Sequence, residues 1–255
     1  MITHVDGESI AGQSTDVSTA KIKGEPGTSV RLTVLPGGNE KKKRTVEVER
    51  ASIEVPIVES EMLRQDGRKF AKLKLLSFTD GVHGKLSEEV HKALEKGADG
   101  IMLDLRGNGG GLLREAVLVS SIFIEDGTIV STKGRNRPER VYKAEGDAID
   151  PDIPMVVLVD GGSASASEIV TGALRDSHRA TLVGERTFGK GVFQELEPLS
   201  NGGALDLTVG SYYLPSGENI SKTGIKPKVE ARDKPRTMQD EALPVAIDEL
   251  LKQTE

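Results

Sequence analysis

The sequence predicts an α/β protein, a mixed and mostly parallel sheet covered by helices, preceded by a smaller β-rich unit. Three observations predict it. Ile101-Met102-Leu103-Asp104-Leu105 and Met155-Val156-Val157-Leu158-Val159 are near-continuous apolar runs, the pattern of strands buried on both faces. Each runs into a glycine-rich loop, Arg106-Gly107-Asn108-Gly109-Gly110-Gly111 or Asp160-Gly161-Gly162, and then into a helical pattern. Residues 1–50, by contrast, carry only short strand-like runs around one brief helical stretch.

Taken in order, Ile2 to Val5, Val30 to Leu35 and Thr45 to Val48 read as strands. Asp16 to Ile22 reads as a short helix stopped by Gly24. Pro36-Gly37-Gly38-Asn39 has the composition of a hairpin turn, and Lys41-Lys42-Lys43-Arg44 reads as the solvated start of the next strand. From Ala51 the pattern becomes mixed, which divides the chain into residues 1–50 and 51–255. Phe70 to Phe78 alternates as a strand, and Leu86, Val90, Ala93 and Leu94 share a helix face that ends at Gly97. Helices follow the two glycine loops, over Leu112 to Ile122 and through Ile169, Val170, Ala173 and Leu174. Ala180 to Val183 and residues 203–214 read as further strands. Asp240 to Lys252 reads as a terminal helix with Pro244 near its start.

Composition removes several function classes. Lys plus Arg total 34 against 40 Asp plus Glu, a net charge of −6, and aromatic residues make up 3% with no Trp. A globally basic nucleic-acid binder or a base-stacking platform is excluded. With no Cys there are no disulfides, thiolate metal sites or Cys nucleophiles. No apolar run approaches the ~20 residues of a membrane span, and the first residues lack the features of a signal peptide.

Chemistry concentrates on one edge of the expected sheet. Gly162-Ser163-Ala164-Ser165-Ala166-Ser167-Glu168 places small residues and free N–H groups at a helix start, where an oxyanion can be stabilised. A right-handed βαβ unit makes Ala180 to Val183 parallel to the preceding strand, so its carboxyl end returns to the same edge. The loop beyond it, Gly184-Glu185-Arg186-Thr187-Phe188-Gly189-Lys190-Gly191, carries a lysine that can act as base for a serine. That role requires a desolvated amine, expected here to pack against Phe188, with Glu185 facing solvent or Arg186. His178 precedes the strand and belongs to the opposite edge. A P-loop reading of Gly184 to Lys190 fails because Gly191 stands where a Mg²⁺-binding hydroxyl is needed. Ser18-Thr19-Ala20-Lys21 with Lys222-Thr223-Gly224 mimics penicillin-recognising enzymes, but no S-D-N occurs.

The two loops, with Gln194, Leu103 to Leu112, Tyr213-Leu214-Pro215-Ser216-Gly217 and Gly224-Ile225-Lys226-Pro227, resemble the tail-specific, or carboxy-terminal processing, serine peptidases over roughly residues 55–230. The resemblance implies a crotonase-like protease core and a Ser–Lys dyad. Ser165, the middle serine, would be the nucleophile, Lys190 the base 25 residues later, and Gln194 the group orienting the amine. It implies an oxyanion hole of the Ala166 N–H and a loop N–H, Gly110 first and Gly111 next, although Gly109 stands where the family carries a non-glycine residue. Residues 1–50, with Val5-Asp6-Gly7-Glu8-Ser9-Ile10 and Gly27 to Leu32, resemble the second half of a PDZ domain. A whole PDZ domain adds a substrate tail as an extra strand. The chain thus resembles an N-terminally truncated protein.

The function so implied is endopeptidase cleavage of proteins near apolar carboxyl-terminal tails, without metal or organic cofactor and without a nucleic-acid partner. The full-length protein would work in the extracytoplasmic cell envelope. The alternative is a catalytically impaired peptide-binding protein that keeps the protease fold.

Overall fold

The computed structural model describes all residues except 53–55, 235, 236, 238 and 255. The chain divides into two compact units, Met1–Val55 and Pro56–Glu255. In the first, β1 (Ile2–Val5), β2 (Glu8–Ser9), β3 (Ser29–Val34) and β4 (Arg44–Glu49) form an antiparallel sheet in the order β2-β1-β3-β4. Helix α1 (Thr15–Ile22) lies between β2 and β3 in sequence and is capped by Ser14, whose side chain accepts the Val17 N–H. Val5, Val30 and Leu32 form a small core of their own. The expected turn after β3 is longer than a hairpin turn: Pro36–Gly38 and Glu40–Lys42 form two successive 3₁₀ turns, and the strand begins only at Arg44.

The second unit opens with the antiparallel pair β5 (Val58–Gln65) and β6 (Arg68–Leu75), followed by α2 (Val82–Glu95), β7 (Gly100–Asp104) and α3 (Leu113–Ser121). A hairpin of β8 (Thr128–Gly134) and β9 (Arg137–Lys143) precedes β10 (Met155–Val159), α4 (Ala166–Asp176) and β11 (Thr181–Gly184). The hairpin of β12 (Val192–Pro198) and β13 (Ala204–Tyr213) follows, then β14 (Val229–Glu230) and α5 (Ala242–Gln253).

The main sheet has the order β14-β11-β10-β7-β6-β5 and is parallel except for the edge strand β5. Its apolar runs are explained by burial on both faces. Along β7 and β10, Ile101, Leu103, Met155, Val157 and Val159 join the core that contains residues of α2, α3 and α4. Met102, Val156 and Leu158 face the other way, with Ala242, Ala246 and Leu250 of α5. This is the period-two split of a strand whose two faces are both covered. Pro244 lies in the first turn of α5, where a missing N–H costs nothing.

A second, antiparallel sheet in the order β12-β13-β8-β9 contains the strand expected over residues 203–214 as β13, and its β8–β9 hairpin is an addition to the expected architecture. Among the described residues no helix is long and apolar enough to cross a membrane.

Candidate active site

Parallel pairing carries the ends of β7, β10 and β11 to one edge, so the loops that follow them meet there. Asn108, buried, joins the first two. Its side-chain amide donates to Leu75 O (2.7 Å), and its carbonyl accepts the Ala164 N–H (3.0 Å) and the Ser167 hydroxyl (2.8 Å). Gly110, at φ +100°, lies so close to the second loop that a Cβ would stand 2.6 Å from Ala164 O and 2.8 Å from Ser165 Cβ. Only glycine permits this approach.

The three serines separate by their bonds. Ser163 donates its hydroxyl to Leu105 O and Ser167 to Asn108 O, each at 2.8 Å, and both are fully buried. Ser165 is partly exposed, and its hydroxyl donates to no backbone carbonyl among the described residues. It is the N-cap of α4 at φ 57° and ψ −114°, a conformation a side chain adopts only under strain. Among the described residues the N–H of Ala166, the first of α4, has no hydrogen-bond partner, and neither has that of Gly111. The Gly110 N–H donates to Asn108 Oδ1 (2.9 Å), which occupies the loop donor expected to come first.

The Lys190 loop is fastened to the serine loop. Phe188 N–H donates to Ser163 O (3.0 Å), and Lys190 N–H to Glu168 Oε2 (2.9 Å). Of the expected surroundings of the lysine, Glu185 does face solvent, its side chain being 38% exposed. Phe188, against which the amine was expected to pack, is itself 65% exposed. Glu185 pairs with Arg232 (3.4 Å), and Arg186 donates to Thr223 O. Lys190 itself is partly buried. Gln194 lies on β12 opposite Thr208 and is exposed, with no hydrogen bond to Lys190 among the described residues. His178 lies before β11, at the opposite edge, where it lines a cavity of about 840 Å³ with Arg175 and Arg179.

Two residues escape a reading of the sequence by loops alone. Glu168, fully buried, accepts bonds from both loops. Its signal is present in the S-x-x-E spacing of Ser165 and Glu168, a capping box. Tyr212, buried on β13, has its phenol pushed up by burial, while a hydrogen bond with Ser165 acts in the opposite sense. No local pattern announces it, since β13 reaches the site only by folding. Among the described residues no group of three or more His, Asp or Glu side chains is placed to hold a metal ion.

A partly exposed serine whose hydroxyl is spent on no backbone carbonyl thus stands at a helix start, beside unpartnered N–H groups and a lysine-bearing loop, and such groups are chemically suited to attack on a carbonyl. The chain belongs to peptidase family S41, whose model matches residues 69–231. It is 37% identical over 226 residues to the carboxyl-terminal-processing protease of Synechocystis sp., covering 89% of this chain and 53% of that protein. It is 36% identical over 231 residues to the carboxy-terminal processing protease CtpA of Bacillus subtilis, covering 90% and 48%. The chain thus spans about half the length of these relatives. Among solved structures it is similar to the photosystem II D1 C-terminal processing protease, at 30% identity and a TM-score of 0.66, over 96% of this chain and 66% of that one.

Proposed function

We propose that this chain is the catalytic part of a serine endopeptidase that cuts proteins near their carboxyl-terminal tails, with Ser165 as nucleophile and Lys190 as base. The observation that carries the reading is the difference among the three serines. Ser163 and Ser167 spend their hydroxyls on backbone carbonyls, and Ser165 does not.

In this mechanism the neutral Lys190 amine takes the Ser165 proton as Oγ bonds to the scissile carbonyl carbon. The carbonyl electron pair moves onto oxygen, and that oxyanion is held by the N–H of Ala166 and of a loop glycine. Gly111 is the better loop donor, since the Gly110 N–H is already bonded. Collapse of the intermediate breaks the C–N bond, and the lysine ammonium protonates the leaving amine. Water, deprotonated by the same lysine, then attacks the acyl ester and releases the new carboxyl terminus and Ser165. Gln194 would act on the amine only after its exposed side chain turns inward.

Exposed Leu112 and Phe188 belong to the two loops beside Ser165, which favours substrates with apolar tails. Residues 1–50, a four-stranded sheet with one short helix, are read as part of a PDZ-like module that would receive such a tail. The resemblance to processing proteases is also the ground for expecting an extracytoplasmic location, which cell fractionation tests.

The decisive experiment is hydrolysis of an unstructured protein with an apolar tail. Ser165→Ala and Lys190→Ala should each abolish turnover, and the double variant should be scarcely worse than either. Lys190→Arg should also be inactive, because a guanidinium does not become a neutral base. Substantial activity in Lys190→Ala would refute the dyad. Tight binding without cleavage by the parent chain would favour the peptide-binding alternative.

A further inference from the structure

We infer that Glu168 is the positioning residue of this site: its carboxylate holds Ser165 in its strained conformation and keeps the Lys190 loop in register with it. The inference rests on the Ser165–Lys190 reading and adds a residue that touches neither the substrate nor the reacting atoms.

An ordinary capping-box glutamate accepts one bond, from the N-cap N–H. Glu168 makes that bond, taking the Ser165 N–H on Oε2 at 3.0 Å, and then accepts three more from the loop after β11. Lys190 N–H shares Oε2 at 2.9 Å, while Gly189 N–H (2.7 Å) and the Thr187 hydroxyl (2.5 Å) meet Oε1. The Thr187 hydroxyl has its donor direction fixed, because its oxygen accepts the Ile225 N–H at 2.7 Å.

All four groups facing the carboxylate therefore donate. A fully buried carboxylate is tolerated only when its lone pairs are used, and here the two oxygens take two bonds each. An amide of the same shape would turn an N–H₂ toward two donors. Glu168→Gln is thus a near-isosteric change that must release one pair: Ser165 with Lys190, or Thr187 with Gly189.

The consequence falls on the nucleophile. Ser165 at φ 57° needs an external restraint, and its own N–H is held by Glu168. The same oxygen holds the backbone N–H of Lys190, so nucleophile and base are referenced to one atom. Small misplacements of reacting groups are amplified in rate, whereas substrate binding at a distance is not affected.

The test compares the full chain with Glu168→Gln, Thr187→Val and Thr187→Ser, by steady-state hydrolysis and by amide hydrogen exchange. Glu168→Gln should lower kcat by about 100-fold with KM nearly unchanged. Thr187→Val, which deletes one donor, should lower kcat about tenfold, and Thr187→Ser should restore it. In Glu168→Gln, exchange at Ser165, Gly189 or Lys190 should accelerate while the β7 amides stay protected.

Parental kcat in Glu168→Gln, or unchanged exchange at all three amides, would overturn the inference even if Ser165→Ala is inactive. Should Glu168→Gln not fold, equal kcat in Thr187→Val and Thr187→Ser would overturn it. If Ser165→Ala and Lys190→Ala keep full activity, the dyad reading fails instead, and the exchange comparison still decides the role of Glu168.

Discussion

Two polar clusters brace the carboxyl edge of the main sheet, and they are made of opposite materials. Beneath Ser165 one carboxylate, Glu168, meets four neutral donors. Beside the β7 loop one guanidinium, Arg106, meets three carboxylates. It bonds Asp104 at 2.7 and 2.9 Å, Asp240 twice at 2.8 Å and Asp233 at 3.0 Å. Burial works against the Arg106 charge, and the bonds to Asp104 and Asp240 overcome it, so the guanidinium is held charged more firmly than an ordinary arginine. The first cluster joins segments about 20 residues apart, the start of α4 and the loop after β11. The second joins segments more than 100 residues apart and fastens the approach to α5. Neutral backbone donors give position, and opposed charges give cohesion across the fold.

The largest effect is expected at Arg106. Arg106→Ala leaves Asp104, fully buried, with only Lys72 at 3.9 Å as a counter-charge. Loss of one partner from a buried ion pair costs about 3–5 kcal/mol, so the urea midpoint should fall steeply. A loss below about 1 kcal/mol would mean that the cluster relaxes into water and provides no cohesion.

Glu115 lies between the two clusters in kind, a buried carboxylate held by both neutral N–H groups and an imidazole. Glu115, buried in the first turn of α3, accepts the N–H groups of Gly81 and His83 and the His83 ring at 2.8 Å. Burial alone would raise this carboxyl; the His83 and Gly81 bonds outweigh it and hold the group below its ordinary value. Its contribution to stability is therefore complete above the unfolded-state value of about 4.3 and is lost as pH falls through the lower folded value. Thermal unfolding should show a shallower acid loss in Glu115→Gln than in the parent. Asp240, held low by Arg106, and Asp176, where burial is outweighed by Arg175 and Ser216, keep part of the slope. An identical acid slope in both proteins would show that Glu115 is not part of this linkage.

The smallest effect should come from the outermost carboxylate. Asp233 is 44% exposed, and Asp233→Asn keeps an oxygen for the Ala242 N–H while removing the charge facing Arg106. The expected cost is below about 1 kcal/mol and should fade in high salt. A larger, salt-insensitive cost would make the three carboxylates equivalent, contrary to their graded burial.

Legibility in the sequence differed in the same way between local and distant features. The β7 and β10 runs were readable because two-sided burial demands apolar residues at every position. The loops after them were readable because close approach demands glycine and small residues. Strand β9 was not, since Arg137-Pro138-Glu139-Arg140 carries the polarity of an exposed strand and resembles a loop. The exposure of Phe188 was not legible either, since it depends on how the loop after β11 packs and not on a local pattern.

By itself, then, the sequence determined the α/β class, the order of most elements, the shared edge of Ser165 and Lys190, and the family resemblance. These follow from periodicity, turn chemistry and right-handed crossover, all of which act over short stretches of chain. Only the tertiary structure decided which serine hydroxyls are spent on carbonyls, which donors fill the Glu168 carboxylate, and which acids surround Arg106. Those outcomes depend on hydrogen-bond partners that are distant in sequence. A buried polar group must find them wherever the packed chain brings them, and no local pattern records where that is.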